Sequence, residues 1–343
     1  MLSSEFLFMG NAVLNLFYQE PDPDRWFPYD RYPRKMIRQW MRGRPRPGGQ
    51  MRVYLNLVAG LDQLGHRYRF NDFAYAQRHP EELVCIIGKP AVLFERKWKN
   101  PVLFGASVFS HPLDCPDLFE RYPVEKMLVP GEWMRRMCEP YYGKKVMAWP
   151  VGIDTDQWKP AGMEKTVDIL IYDKIRWERA HYENVLGNPI REHLKANNLK
   201  IEILRYGHYQ PADLREKLNR SKAALFLCEH ETQGLAYQQM LSSGVPVFAW
   251  NRGGYWQDPA YYPHRVEFAP VSSVPYWDER CGMTFEDLSA FKNGFDAFWG
   301  RVQAKSFDPR AYILENLTLE KCAQAYVDIA QSIEPRSFTQ LGL

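Results

Sequence analysis

Residues 223–250, AALFLCEHETQGLAYQQMLSSGVPVFAW, constrain the fold more than any other part of the chain. They read as strand, loop, helix, turn and strand. Residues 223–228 form an apolar run without alternation, as expected of a strand buried on both faces. Glu229, His230, Glu231 and Thr232 break the run with polar groups. Gly234 opens a helix-length segment that ends at Ser242–Ser243–Gly244, where Gly244 suits a left-handed C-cap. Residues 245–250 are the next strand, with Pro246 tolerated near its start. A buried strand feeding a helix leaves free N–H groups pointing out of the first turn, which favours an anion there.

The rest of the chain repeats this plan. Residues 12–18 read as a first strand. A segment rich in Pro and Arg follows over 19–47, and Gly48–Gly49 then open an amphipathic helix. Its apolar positions Tyr54, Leu57, Val58, Leu61 and Leu64 follow the three-four spacing, and Gly65–His66 end it. Strands are predicted over 82–88, 101–106, 124–129 and 145–149, with a helix over 133–142. A second series begins with a strand over 167–172, a helix over 188–197, a strand over 200–205 and a helix over 212–219. A last helix is predicted over 319–329. Strands alternating with helices predict parallel α/β sheets. At 343 residues the chain is long for one domain and comfortable for two.

Composition excludes several classes. With 45% apolar and 25% charged residues this is an ordinary globular chain, and a net charge of +3 does not argue for nucleic acid. Aromatics reach 15%, which suits sugar-stacking surfaces and a large core equally. Cys85, Cys115, Cys138, Cys228, Cys281 and Cys322 are scattered, without a Cys-x-x-Cys pair. That favours a reducing compartment, hence a cytoplasmic expectation, and argues against a disulfide framework or structural zinc. The start lacks a basic region before its apolar stretch and carries Glu5, so it reads as a strand and not a signal peptide.

The central stretch resembles the donor-binding motif of retaining glycosyltransferases of the GT-B fold, of the large family 4 (group 1) type. That pattern is Glu, seven residues, Glu, with Gly-Leu after the first Glu. Glu231 holds the first position, Gly234–Leu235 match, and Gly244–Val245–Pro246–Val247 match beyond it. Gln239 stands in place of the second Glu, which in the family accepts from the nucleotide ribose. Gln keeps an acceptor oxygen but not the charge. Gln233 stands where the family often has Phe, which implies a more polar pocket beside the sugar.

The resemblance implies two Rossmann-like domains with parallel sheets facing a central cleft. It puts an acceptor domain over 1–150 and a donor domain over 151–311, with a helix over about 312–335 returning to the first. Pro150–Val151–Gly152–Ile153–Asp154–Thr155 match the family's linker. The implied co-substrate is a nucleotide-diphosphate sugar, the acceptor a glycan, lipid-linked or small molecule, and no cofactor or metal is expected. Lys174 and Arg179 swap the order of the family's two diphosphate-binding cations, and Arg176 lies between them. Fixed cations stabilise the charge that develops on a departing diphosphate. Glu231 is implied to contact the sugar hydroxyls, Gly48–Gly49 to approach the phosphates, and Tyr206, Gly207 and His208 to join the nucleotide site. His111 is the candidate for a histidine near the donor sugar, with Ser107 and Ser110 competing for that place.

Each assignment has a plainer alternative. Lys174 and Arg179 could be a solvated helix start, Glu231 an N-cap, and His111 a core residue. His230 beside Cys228 and Glu229 fits no standard metal spacing. Arg31, Arg34, Lys35, Arg38, Arg42, Arg44 and Arg46 form the one strong basic cluster, interleaved with Tyr32, Ile37, Trp40 and Met41. It reads as a solvated loop, as a peripheral contact with an anionic membrane at its cytoplasmic face, as a grip on an anionic acceptor, or as a nucleic-acid contact.

Overall fold

The computed structural model describes residues 13–20, 26, 30, 33–34, 36–37, 48–106 and 109–333, and the structural statements below concern these. Two all-parallel sheets carry the fold. The first is built from β1 (Leu14–Phe17), β2 (Tyr68–Phe70), β3 (Val84–Ile86), β4 (Val102–Gly105), β5 (Val124–Val129) and β6 (Val146–Ala148). The second is built from β7 (Val167–Asp173), β8 (Ile201–Arg205), β9 (Ser221–Leu227), β10 (Val247–Trp250) and β11 (Gly282–Phe285). The principal helices are α1 (Gly49–Gln63), α2 (Phe73–Arg78), α3 (Glu132–Tyr142), α4 (Asn188–Ala196), α5 (Pro211–Arg220), α6 (Leu235–Ser242), α7 (Leu288–Gln303), α8 (Pro309–Asn316) and α9 (Leu319–Gln331).

The chain divides into two compact units. One comprises the described parts of Met1–Pro130, Cys138–Trp149 and Ala323–Leu343; the other comprises Gly131–Met137 and Pro150–Cys322. In the first unit the end of α9 packs on the first sheet's side of the chain, with Tyr326 edge-on to Trp149 at 5.1 Å.

The second sheet shows why its strands lack an apolar–polar alternation. Ile169 and Ile171 of β7 lie with Ala223, Leu225 and Leu227 of β9 in one buried cluster, against Ile190 and Leu194 of α4 and Phe291, Phe295 and Phe298 of α7. Leu170 and Tyr172 lie with Ala224 and Phe226 in another, against Leu214 and Leu218 of α5 and Tyr237, Met240 and Leu241 of α6. Both faces are covered, so consecutive residues must all be apolar. Each fully buried Leu, Ile or Phe contributes about 1.5–3 kcal/mol of transfer free energy.

The predicted strands and helices form, with ends shifted by at most two residues. β2, β11, α2, α7 and α8 were not predicted. β11 has four residues and opens on Gly282, too short to show a period. α7 carries Phe291, Phe295 and Phe298 at helical spacing, with Gly294 and Gly300, poor helix formers, within its length. All six cysteines are buried and free. Burial pushes the thiols of Cys85, Cys138, Cys281 and Cys322 up to about 12 and that of Cys115 to about 11.

Of the basic cluster, Arg34 and Ile37 are described. Arg34 Nε lies 3.4 Å from the buried Asp30 carboxylate, and Ile37 is exposed. Arg31, Tyr32, Lys35, Arg38, Trp40, Met41, Arg42, Arg44 and Arg46 lie outside the described residues, as does Ser107. Among the described residues no helix is long and apolar enough to cross a membrane.

Candidate functional site

Strand order places the site. The second sheet runs β11–β10–β9–β7–β8, so the chain turns one way from β7 to β8 and the other way from β9 to β10. In open doubly wound sheets ligands bind outside the carboxyl ends of the strands at such a reversal. β7 ends at Asp173 and β9 at Leu227. The two loops leaving this point therefore begin with Lys174 and Cys228. The Lys174 N–H donates to the Leu227 carbonyl at 2.8 Å and ties the two strand ends together.

Lys174 and Glu231 meet here. The ammonium donates to Glu231 Oε1, and both side chains are nearly buried, at 13% and 9% exposure. Burial works against the ammonium, but the Glu231 carboxylate outweighs it and holds the lysine pKa above its ordinary value. The ammonium also lies 4.5 Å from the Tyr206 ring centre, a cation–π contact. Tyr206 is placed for this by its N–H, which donates to Asp173 O at 2.9 Å. Glu231 is fixed through its backbone: its N–H donates to Ser272 O at 2.9 Å, and its carbonyl accepts from Trp133 Nε1 at 2.7 Å. Cys228 Sγ lies 3.8 Å from Glu231 Oε1, and burial raises its thiol pKa well above the ordinary value.

The first turn of α6 opens beside this pair. Gly234 has φ +72°, and a Cβ there would fall 2.0 Å from Tyr237 Cε1. The Tyr237 ring cannot give way: it is fully buried, and its hydroxyl donates to Tyr276 O at 3.1 Å and accepts from Tyr276 N at 3.0 Å. Glycine is thus required twice, by conformation and by space. No side chain caps α6. Gln233 is buried, and neither polar atom of its carboxamide has a partner. Its backbone carbonyl accepts from Gln238 Nε2 at 2.7 Å. An unpartnered buried amide costs about 1–3 kcal/mol, which a hydrogen-bonding ligand would recover. Gln239 is buried in the same helix, with its carbonyl accepting from Ser243 N at 3.0 Å and Ser243 Oγ at 2.9 Å.

The remaining candidates divide. Arg179, expected on a diphosphate, grips Asp173 in a two-pronged pair, Nη1 to Oδ1 at 3.0 Å and Nη2 to Oδ2 at 2.5 Å. It also donates to Ile175 O at 3.0 Å and lies 3.6 Å from Glu183, so it staples the loop that follows β7. Arg176 enters through its backbone: its N–H and that of Trp177 each donate to Glu229 Oε1 at 2.8 Å. Burial raises the Glu229 pKa despite these bonds. Gly207 and His208 form the turn after β8, with Gly207 at φ +83° and His208 N donating to Arg205 O at 3.1 Å.

Two candidates belong to the first unit. A Cβ at Gly48 or Gly49 would meet nothing within 4 Å among the described residues, and neither has positive φ. The fold does not itself require glycine there. His111 is buried; its Nδ1 accepts from Leu113 N at 3.1 Å, capping a short turn, and its ring stands edge-on to Tyr141 at 5.2 Å.

Sequence reasoning missed several parts of the site. Asp173 directly follows the strand predicted over 167–172 and closes the observed one. Trp133 was not, because its partner lies 98 positions away. Arg252 is in the loop 251–254, which the sequence places at a strand's carboxyl end where ligands bind; its guanidinium lies 5.4 and 5.6 Å from the ring centres of Tyr182 and Trp250, and its Nη2 donates to Gln257 Oε1 at 2.7 Å. Gln257 N donates to His230 Nε2 at 3.1 Å, and burial pushes the His230 pKa down to about 4. His230 is thus a neutral acceptor within the loop. Among the described residues, His79, Glu81 and Glu82 of the first unit form the one cluster of metal-ligating type. Glu82 there already accepts from Asn15 and Tyr75.

No family model and no curated protein matches the sequence. Solved structures do. The N-terminal domain of Candida albicans trehalose-6-phosphate phosphatase matches at TM-score 0.50 and 11% identity, over 95% of this chain and 97% of that one. A sucrose-phosphate synthase from Thermosynechococcus elongatus matches at 0.49 and 12%, over 84% and 82%. The GtfA/B complex matches at 0.46 and 15%, over 77% of this chain and 62% of that chain, so the chain spans less than two thirds of its length. Glycosyltransferases of the GT-B fold are among the structures it resembles. Two all-parallel doubly wound sheets and a full-length structural likeness establish the fold as α/β of the GT-B class, with two Rossmann-like units.

Proposed function

We propose that the chain is a glycosyltransferase that moves a sugar from a nucleotide-diphosphate sugar to a glycan, lipid-linked or small-molecule acceptor. The observation that carries this is the convergence of Lys174, Glu231, the unpartnered Gln233 carboxamide and the uncapped first turn of α6 at one topological switch point.

Each part has a task. Breaking the sugar–phosphate bond leaves negative charge on the diphosphate. The Lys174 ammonium and the N–H groups of α6 are fixed before the reaction, so they stabilise that charge without reorganising. An ammonium has three donors, and Glu231 uses one, so Lys174 keeps others for a phosphate oxygen. Glu231 accepts from sugar hydroxyls, and Gln233 can give and accept one hydrogen bond each. Gln239 accepts from the ribose. Gly48 and Gly49 leave room for a phosphate where the protein itself makes no demand. On this reading the reaction retains the anomeric configuration and needs no metal, the leaving diphosphate taking the acceptor's proton. A lipid-linked acceptor would bring the basic segment to the cytoplasmic face of an anionic membrane.

The test is release of free nucleoside diphosphate across a panel of nucleotide-diphosphate sugars, read beside thermal shifts. Turnover with at least one donor, lost in Lys174→Gln, is expected; NMR of the product's anomeric proton checks retention. No shift and no turnover with any donor overturns the assignment. A second reading, a binding protein without turnover, draws on the neutral Gln239 and on Arg179 being held by Asp173. It predicts thermal shifts without nucleotide release.

A further inference from the structure

The first unit holds a cavity that the donor site does not use. It measures about 180 Å³ and lies between α2 and the segment before β4. Its lining includes Phe73, Gln77, Arg96, Lys97, Trp98 and Lys99. Three of these are cations and none is an acid. Elsewhere cations are commonly paired: Arg69, Arg135, Arg191, Lys217, Lys222 and Arg280 each lie within 4 Å of a carboxylate. Arg96, Lys97 and Lys99 have no carboxylate partner among the described residues. Three unpaired cations on one small concavity repel one another, and an anion between them removes the repulsion.

The walls are preset. The Arg96 guanidinium carbon lies over the Phe73 ring, 3.6 Å from its centre, a cation–π contact that holds the side chain in place. Trp98 is locked by a hydrogen bond from Nε1 to Val92 O at 3.0 Å, and its ring packs edge-on to Phe17 at 5.0 Å. Asn100 pins the segment from beneath, its Nδ2 donating to the carbonyls of Ala76, His79 and Glu82 at 3.2, 2.8 and 2.9 Å. A site built before binding loses less entropy on binding. The size points to a group and not a chain: drug-sized ligands occupy roughly 300–1,000 Å³.

We propose that this cavity binds a phosphate ester, with the phosphate held by Arg96, Lys97 and Lys99 and the attached carbon skeleton against Trp98. A guanidinium fork with two ammoniums matches a tetrahedral dianion better than a single carboxylate. The phosphate could be carried by a soluble sugar phosphate or by a lipid headgroup; we assign it to the soluble ester, because the cavity is small and its floor is closed by Asn100.

The test is calorimetric titration of the full chain with glucose 6-phosphate and with glucose, beside co-sedimentation with phosphatidylcholine vesicles containing phosphatidic acid. Binding of glucose 6-phosphate without binding of glucose is expected. It should weaken at least tenfold in Lys97→Gln/Lys99→Gln, whose exposed side chains the fold does not use. It should weaken again in Arg96→Lys, which keeps the charge and loses the fork. Nucleoside-diphosphate affinity should stay unchanged in these variants, which separates this site from the donor site. Failure of the wild type to bind the ester at millimolar concentration overturns the proposal. So does equal binding by wild type and double variant, or binding to the vesicles alone.

Discussion

The two units share a strand plan and differ in what stands at its turning point. In each, the first and third strands of the unit lie side by side, and a lysine–glutamate pair spans the loops that follow them. In the first unit Glu20 follows β1 and Lys89 follows β3, 3.7 Å apart at 48% and 30% exposure. In the second the ends are exchanged: Lys174 follows β7 and Glu231 β9, and both are nearly buried. The first unit keeps its pair in water above a stack of rings, Tyr18 on Tyr54 at 5.1 Å and Tyr54 on Phe70 at 5.0 Å. In the second, the Lys174 ammonium lies against the Tyr206 ring and Trp133 holds the Glu231 backbone carbonyl. Topology chooses the place for a ligand; burial decides whether charge there is merely present or is strong.

The sharpest way to break this comparison is to delete one lysine from each pair. Lys174→Ala leaves a buried carboxylate unpaired and should cost about 3–5 kcal/mol in urea unfolding. Lys89→Ala should cost under about 1 kcal/mol, as an exposed pair does. Equal costs would show that the two sites are electrostatically alike. Pairing Lys174→Met with Glu231→Leu should restore most of the loss while ending any donor binding.

Glycines separate the units next. Gly234→Ala combines positive φ with a collision against a fixed ring, and about 3 kcal/mol of lost stability is expected. Gly48→Ala should change stability by no more than about 0.5 kcal/mol, since nothing contacts the added methyl. If it nevertheless weakens nucleoside-diphosphate binding, the glycine is there for the ligand.

Acid should weaken the second unit through His230. Its pKa is about 4 when folded against an ordinary 6.5, so below pH 6.5 the unfolded chain takes up a proton that the folded chain refuses. Stability is full above pH 6.5 and falls as pH drops toward 4, by about 3 kcal/mol. Glu229, whose pKa is raised, shifts stability the opposite way in acid, so His230→Gln compared with wild type isolates the histidine. Identical pH profiles for the two proteins would refute the assignment. The smallest effect is at Gln239. Gln239→Ala should weaken nucleoside-diphosphate binding by about 1–2 kcal/mol, and Gln239→Glu should keep or improve it. An unchanged Kd for the alanine variant would remove the ribose role.

Much of this was legible in the chain, and the reasons are local. Residues 223–250 announce a buried strand, a glycine-started helix and a second strand because each step depends on neighbours a few positions away. Lys174 could be placed at a strand end for the same reason. The roles of Arg179 and Asp173 could not be: a cation's partner depends on which carboxylate the folded loop brings near, and Asp173 outcompetes solvent at 2.5 Å. Trp133 holds the Glu231 carbonyl from a distant segment, and no periodicity reports such a bond. The capping role of His111 was not legible, because a histidine in a loop shows nothing of the turn it caps. α7 was missed although Phe291, Phe295 and Phe298 stand at helical spacing; Gly294 and Gly300 lower the helix propensity of the segment.

The six buried thiols bear on how the molecule comes apart. Cys85, Cys115 and Cys138 belong to the first unit, and Cys228, Cys281 and Cys322 to the second. A native chain near neutral pH offers an alkylating reagent almost no thiolate, so each modification records an opening event. Mapped by mass spectrometry after short pulses of iodoacetamide, three sites per unit act as a pair of clocks. They would time the two halves separately, without a label, a probe or a mutation, and reveal which one lets go first.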